Sequence, residues 1–122
     1  MKAKELGTAM PAIKRLMMFN SEDTKRAIKL APLFEEILKK YEEINEIRMT
    51  FIDKHCKKDR KGNNIQHDGV YKIEDIDAFT KEVGECLDYD LKFSGKIPFA
   101  LAEEAKVSSY EIIDLGDLLE QS

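Results

Sequence analysis

Apolar positions recur at intervals of three and four through most of this chain, the spacing of one face of an α-helix. Leu6, Met10, Ile13 and Met17 make a first short stripe, with Thr8 as N-cap and Pro11 inside the first turn, where its missing N–H is tolerated. Asn20 or Ser21 then caps a second helix, with Glu22 and Asp23 in its first turn to complement the helix dipole. This helix is expected to run to about Cys56, because the stretch holds no glycine and a single proline. Its stripe is Leu30, Phe34, Ile37, Tyr41, Ile44, Arg48, Phe51 and His55, widened by Leu33, Leu38, Ile47 and Ile52. Pro32 leaves open whether the helix is continuous or breaks near Ile28. A continuous helix of some 35 residues spans about 50 Å, against about 35 Å for a compact globule of this length. The excess predicts a homo-oligomer whose interface is Leu30, Phe34, Ile37, Tyr41, Ile44 and Phe51.

Beyond the long helix the pattern changes. Gly62-Asn63 and Asp68-Gly69 are turn dipeptides, and Ile65, Val70, Tyr71 and Ile73 are strand formers, so "NIQHDGVYKI" predicts a small β-hairpin with an Asp-Gly turn. Helical spacing resumes after Asp75 or Asp77, which cap a helix turning Ile76, Phe79, Val83 and Leu87 inward. "DYDLKF" alternates Tyr89, Leu91 and Phe93 as a short strand does. A short helical piece, Phe99 to Ala105, follows Pro98. Ser108 with Glu111 then forms a capping box, opening a last helix with Ile112, Leu115 and Leu119 on one side. The expected fold is mostly α, an α+β arrangement with a minor β-hairpin and a long central helix flanked by shorter ones. It makes one domain, 1–122, comprising a helical segment 1–57, a basic turn and hairpin 58–74, and an acidic helical segment 75–122.

Charge adds an asymmetry. Residues 1–61 hold 15 Lys and Arg against 10 Asp and Glu, and residues 62–122 hold 5 against 14, so halves of +5 and −9 underlie the net charge of −4. Such a split favours packing of the halves against each other or head-to-tail contacts between copies, and argues against a surface that binds nucleic acid throughout. A composition 43% hydrophobic and 36% charged is that of a globular chain. No apolar run approaches the roughly 20 residues that cross a bilayer, and no signal-peptide apolar region opens the chain, which predicts a cytoplasmic protein. Cys56 and Cys86, far apart and in no C-x-x-C unit, read as reduced and buried.

The candidate site is the basic turn, where Lys54, Lys57, Lys58, Arg60 and Lys61 fall within eight residues. Lys54, Lys57 and Lys58 sit where cations offset the negative end of the long helix. Arg60 and Lys61 exceed that need. We therefore assign Lys57, Lys58, Arg60 and Lys61, with Asn63, His67 and Tyr71 for hydrogen bonding and stacking, to an anionic partner: an acidic protein surface or a nucleotide's phosphates. The competing reading is an internal clasp onto Glu74, Asp75 and Asp77. "DRKGNN" lacks the acidic ligands and closing Glu of a calcium loop. His55, Cys56, His67 and Cys86 match no zinc spacing. Phosphate-cradling and nucleophile-elbow motifs are absent, and the paired carboxylates lie on charged helix faces. No catalytic residue, metal or cofactor is expected.

The order of elements carries a resemblance. A short helix, a long charged helix ending in a turn rich in Lys, Asp, Gly and Asn (Lys58-Asp59 through Gly62-Asn63), Phe79, Lys81 and Glu82 leading to Leu87-Asp88, and Ser108 or Ser109 near Glu111 and Ile112 together resemble a set of small uncharacterised proteins of tailed bacteriophages and prophages. The chain departs from that pattern at His55-Cys56, where an aromatic-glycine step is expected. The resemblance covers nearly the whole chain, rests on helix ends and turns, and carries over no site residue. It implies a viral origin and, with it, the bacterial host cytoplasm. The first expectation is a counter-defence binding protein that inhibits a host immune protein or sequesters its nucleotide signal. The alternatives are an accessory protein of virion assembly and, third, a small nucleic-acid-binding regulator, which the pI of about 5.3 disfavours.

Overall fold

The computed structural model describes residues 1–121; Ser122, the last residue of the expected domain, lies outside the described residues. The chain forms helix α1 (Ala3–Asn20), helix α2 (Thr24–His55), a two-stranded antiparallel ribbon β1 (Gln66–His67) and β2 (Val70–Tyr71), helices α3 (Ile76–Leu87), α4 (Phe99–Glu104) and α5 (Ser109–Leu115), and a closing 3₁₀ turn, Gly116–Leu118. A mostly helical fold with one long helix and a minor β element is therefore observed, as the periodicity predicts.

The core is organised around α1, which packs against each of the four other helices. Leu6, Ile13 and Leu16 on α1, Ile37 on α2, Ile97 and Leu115 are its fully buried large side chains. Helix α1 begins at Ala3, before the expected stripe, and Pro11 lies in its interior. Thr8 is no N-cap; its hydroxyl donates to the Lys4 carbonyl (3.3 Å). The carbonyl that Pro11 leaves without a donor is that of Gly7, and both residues are exposed, so it lies on the solvent side. Asn20 and Ser21 also have other duties than those expected. The N-cap of α2 is Asp23, whose carboxylate accepts from the Arg26 N–H (3.1 Å). Asn20 is buried at the end of α1, and its Oδ1 accepts from Arg26 Nε (3.1 Å).

Helix α2 runs unbroken through Pro32, its 32 residues spanning about 48 Å. Pro32 and Ile28 are exposed, so the lost hydrogen bond falls on the solvent side. The expected interface stripe needs correction. Leu30, Phe34, Ile37 and Ile44 are buried in the chain's own core, and Tyr41 packs half-buried against it. Leu30, Phe34 and Ile37 are thereby already covered and are not a surface for a second copy. Phe51 stands half-buried beyond the core.

The C-terminal segment departs in two places. Tyr89 to Phe93 forms no strand. Its β-pairing among the described residues is one antiparallel bridge between Asp90 and Lys2, with Ala3 N–H donating to the Tyr89 carbonyl (2.9 Å) and Leu91 N–H to that of Met1 (2.7 Å). On α3, Phe79, Val83 and Leu87 are half-buried while Ile76 is exposed, so this helix covers α2 without a sealed core. On α5 the capping box forms, Ser108 Oγ accepting from Glu111 N–H (3.1 Å) and Glu111 from Ser108 N–H (2.9 Å). Leu115 and Leu119 are buried as expected, but Ile112 is exposed.

The charge split is resolved by packing the halves together. Lys2 and Lys4 meet Asp88, Arg15 meets Glu111, Arg26 meets Glu104, and Lys54 meets Glu82, each pairing a first-half cation with a second-half acid. No helix among the described residues is long and apolar enough to cross a membrane.

Candidate functional site

Helix α2 ends because Cys56 leaves helical geometry, its backbone at φ −73° and ψ 140° and its N–H still donating to the Ile52 carbonyl (2.8 Å). From there three extended segments lock together. Lys57 N–H donates to the Lys72 carbonyl (2.7 Å), Lys72 N–H to Ile65 (2.9 Å), and Ile65 N–H back to Lys57 (2.9 Å). The buried Cys56 lies beneath this ring, its Sγ directed at the Lys57 (3.4 Å) and Ile65 (3.5 Å) carbonyls. Cys86 is a half-buried free thiol, so only the first cysteine is sealed.

The basic turn itself is shaped by Asp59. One oxygen of its carboxylate accepts from Lys61 N–H (2.8 Å) and Asn63 N–H (3.0 Å), while Gly62, at φ +83°, closes the loop in a conformation that suits glycine. Lys58 is consumed structurally, its Nζ donating to the Asp53 carbonyl and to Asn64 Oδ1, with Asn64 Nδ2 returning to the Asp53 carboxylate (2.6 Å). Lys57, Arg60 and Lys61 are exposed and make no ion pair among the described residues.

The hairpin does not complete the expected site. Asp68 (φ 51°) and Gly69 (φ 78°) make the two positive-φ positions of a tight turn, as that dipeptide predicts. The register pairs His67 with Val70 and Gln66 with Tyr71. Side chains alternate along a strand, so His67 and Tyr71 stand on opposite faces of the ribbon and cannot wall one pocket. His67 is exposed and lies 3.4 Å from the equally exposed Asp68. The assigned residues that share the turn are thus Lys57, Arg60, Lys61 and Asn63; Lys58, His67 and Tyr71 have other settings.

The internal clasp exists, but on other residues. Glu82 of α3 takes Lys54 on one oxygen (2.7 Å) and His55 Nε2 on the other (2.8 Å), and the His55 ring meets Phe79 edge-on with centroids 6.0 Å apart. Glu74, Asp75 and Asp77 make no ion pair with the basic turn, and Asp75 is spent capping α3 through the Ala78 N–H (3.1 Å). Sequence reasoning passed over Glu82; the only signal for it is that it lies two turns into α3, where an inward polar residue faces the end of α2. A His–carboxylate pair is one element of a nucleophilic or acid–base site. Here Lys54 shares the carboxylate, and among the described residues no hydroxyl or thiol is hydrogen-bonded to the imidazole.

Glu82 is also one of three carboxyls among the described residues held below the ordinary Glu value of 4.5, by its hydrogen bonds from Lys54 and His55. Glu36 is lowered by the Ser94 hydroxyl and amide and by Lys40, and Glu111 by the Ser108 N–H and Arg15. Each joins separate parts of the fold. Because the folded values lie below the unfolded ones, the stability these groups contribute is complete above about pH 4.5 and is lost as pH falls through the folded values. The melting temperature is therefore expected to hold between about pH 7 and 5 and to fall in more acid solution. Glu82→Gln should melt below wild type near neutrality, and the gap should narrow as pH falls through the lowered value of Glu82; a gap that stays constant through the acid range contradicts the assignment.

Further along, α2, α3 and the segment after it enclose an open groove of about 920 Å³. Ile44, Ile47, Phe51, Cys86 and Leu91 line it, with Glu43, Glu85, Lys40 and Lys92 among its charged residues. A smaller groove of about 510 Å³ adjoins it at Leu91 and Lys92 and reaches Gly95 and Asp117. Neither touches residues 57–63. Among the described residues no three His, Cys, Asp or Glu side chains converge as metal ligands. No protein family, curated protein or solved structure matches the chain.

Proposed function

We propose that the chain is a non-enzymatic, phage-encoded binding protein that engages an acidic surface of a host defence protein through its basic turn. The observation that carries this reading is the turn's charge: three exposed cations within residues 57–61 have no internal ion-pair partner among the described residues, although the second half of the chain is rich in acids. Held by Asp59 and the backbone ring beneath it, the turn presents Lys57, Arg60 and Lys61 from a fixed frame, which favours fast, salt-dependent association with negative charge. A small nucleotide needs a concave site, and the residues expected to wall one stand on opposite faces of the ribbon, so an acidic protein surface fits better than a sequestered signal. The viral origin and the counter-defence role rest on the sequence resemblance.

The test is phage plating on bacteria that each carry one defence system and express the chain. The expected result is a gain in plaque formation on one such strain that disappears with R60E/K61E. A gain undiminished by that variant, or no gain on any strain, overturns the reading. The groove left uncovered between α2 and α3 favours a second role in virion assembly, which recovery of the chain in purified virions would support.

A further inference from the structure

The α2–α3 groove and the opposite end of α2 are complementary. Along the groove run Ile47 and Phe51 from α2 and Tyr89 after α3, with Ile47 45% and Tyr89 68% exposed, so this apolar surface lacks a cover. Several of its charges are already engaged: Lys40 by Glu36 and the Lys92 carbonyl, Glu82 by Lys54 and His55, and Asp90 by the Met1 amine (3.2 Å). Glu43 on α2 and Glu85 on α3 have no ion-pair partner among the described residues, and of the groove's cations only Lys92 is likewise free in its side chain. The groove thus presents an apolar strip with one free carboxylate on each helix.

The first turns of α2 present the converse. Lys25, Ile28, Lys29 and Pro32 fall at i, i+3, i+4 and i+7, one helix face, and all are exposed, Ile28 at 71%. Neither lysine makes an ion pair among the described residues. From Lys25 to Pro32, as from Ile44 to Phe51, is about 10 Å along the helix axis, so the cationic face and the groove match in length.

The geometry points to a head-to-tail contact between copies of this chain, in which the Lys25–Pro32 face of one seats in the α2–α3 groove of the next. Ile28 meets Ile47 and Tyr89, and Lys25 and Lys29 meet Glu43 and Glu85. A symmetric dimer through the groove would bring two free carboxylates, Glu43 and Glu85, and one free cation, Lys92, from each copy, so net negative charge would face net negative charge across the apolar strip. The head-to-tail contact instead joins two different surfaces, and each copy keeps one of each free, so it repeats into a ring or a filament. The basic turn takes no part and stays open in every copy.

Sedimentation velocity of the full chain tests this with two charge-reversed variants, E43K/E85K and K25E/K29E. All four positions are exposed, and circular dichroism confirms that each variant keeps its helices. Wild type is expected to sediment above monomer at micromolar concentration and to dissociate as salt rises. Each variant alone should be monomeric, since like charges then face each other at the contact. Mixed in equal amounts they should reassemble, because the cationic face of the first fits the groove of the second and the reversed pair fits in turn. A wild type that stays monomeric across micromolar concentrations overturns the inference, and so does an assembly that either variant leaves intact. Reversed variants that remain monomers when mixed overturn it too, as does a groove that takes up a cationic amphipathic peptide while the chain itself stays monomeric.

Discussion

Ile37→Ala is expected to remove about 2 to 5 kcal/mol of stability, the cost of a buried branched side chain together with the cavity it leaves. Ile37 is fully buried, in the cluster where α2 meets Leu6, Ile13 and Leu16 of α1 and Leu115 of α5. Domains of this size are stable by only about 5 to 15 kcal/mol, so the variant should unfold at markedly lower denaturant. The slope of the transition should be unchanged, because the same surface is exposed on unfolding. Ile28→Ala is the control: Ile28 is 71% exposed on the same helix, and its loss should move stability by no more than about 0.5 kcal/mol. Urea denaturation of the two variants checks both values, and equal effects would mean that α2 does not seat as described.

Arg26→Met is the second large effect, at about 1.5 to 3 kcal/mol, the range for hydrogen bonds that involve a charged group. Its guanidinium donates to Asn20 Oδ1 (3.1 Å), to the Phe19 carbonyl (3.1 Å) and to Glu104 (2.6 Å), and lies 4.8 Å from the centre of the Phe19 ring. One side chain thus joins the end of α1, the start of α2 and α4. The pair with Glu104 is the least of these, because Glu104 is 60% exposed and solvent weakens such contacts. Glu104→Gln should therefore cost under about 1 kcal/mol. Removing Arg26 also leaves the buried Asn20 amide oxygen without its donor, and that penalty makes the difference. If both variants melt alike, the arginine acts through its carboxylate and not through the α1 carbonyls.

Where a local rule decides the outcome, the chain is legible. Asp75 and Ser108 cap the helices they precede, Asp68-Gly69 turns the ribbon, and the apolar period of α2 marks one helix. What the period does not carry is the identity of the partner. Leu30, Phe34, Ile37 and Ile44 have the spacing of an interface stripe, and they are buried in the chain's own core. Likewise the charge split between the halves shows that cations and acids must meet, while the pairing of Lys54 and His55 with Glu82, and not with Glu74 or Asp77, is set by how α3 lies on α2. Tyr89, Leu91 and Phe93 alternate like a strand, but the segment pairs with Lys2 through a single bridge, and α1 begins at Ala3, so no ladder extends from it among the described residues. The turn cluster is readable as charge; that Lys58 is taken up by Asp53 and Asn64 follows only from the path of the loop.

The account rests on the basic turn being a free surface and not an internal clasp, and R60E/K61E measures this most directly when thermal stability and counter-defence are read on the same protein. The side chains of Arg60 and Lys61 make no ion pair among the described residues, so the melting temperature should stay within about 2 °C of wild type. The plating gain, in contrast, should be lost. A variant that melts well below wild type yet keeps the full plating gain contradicts the account.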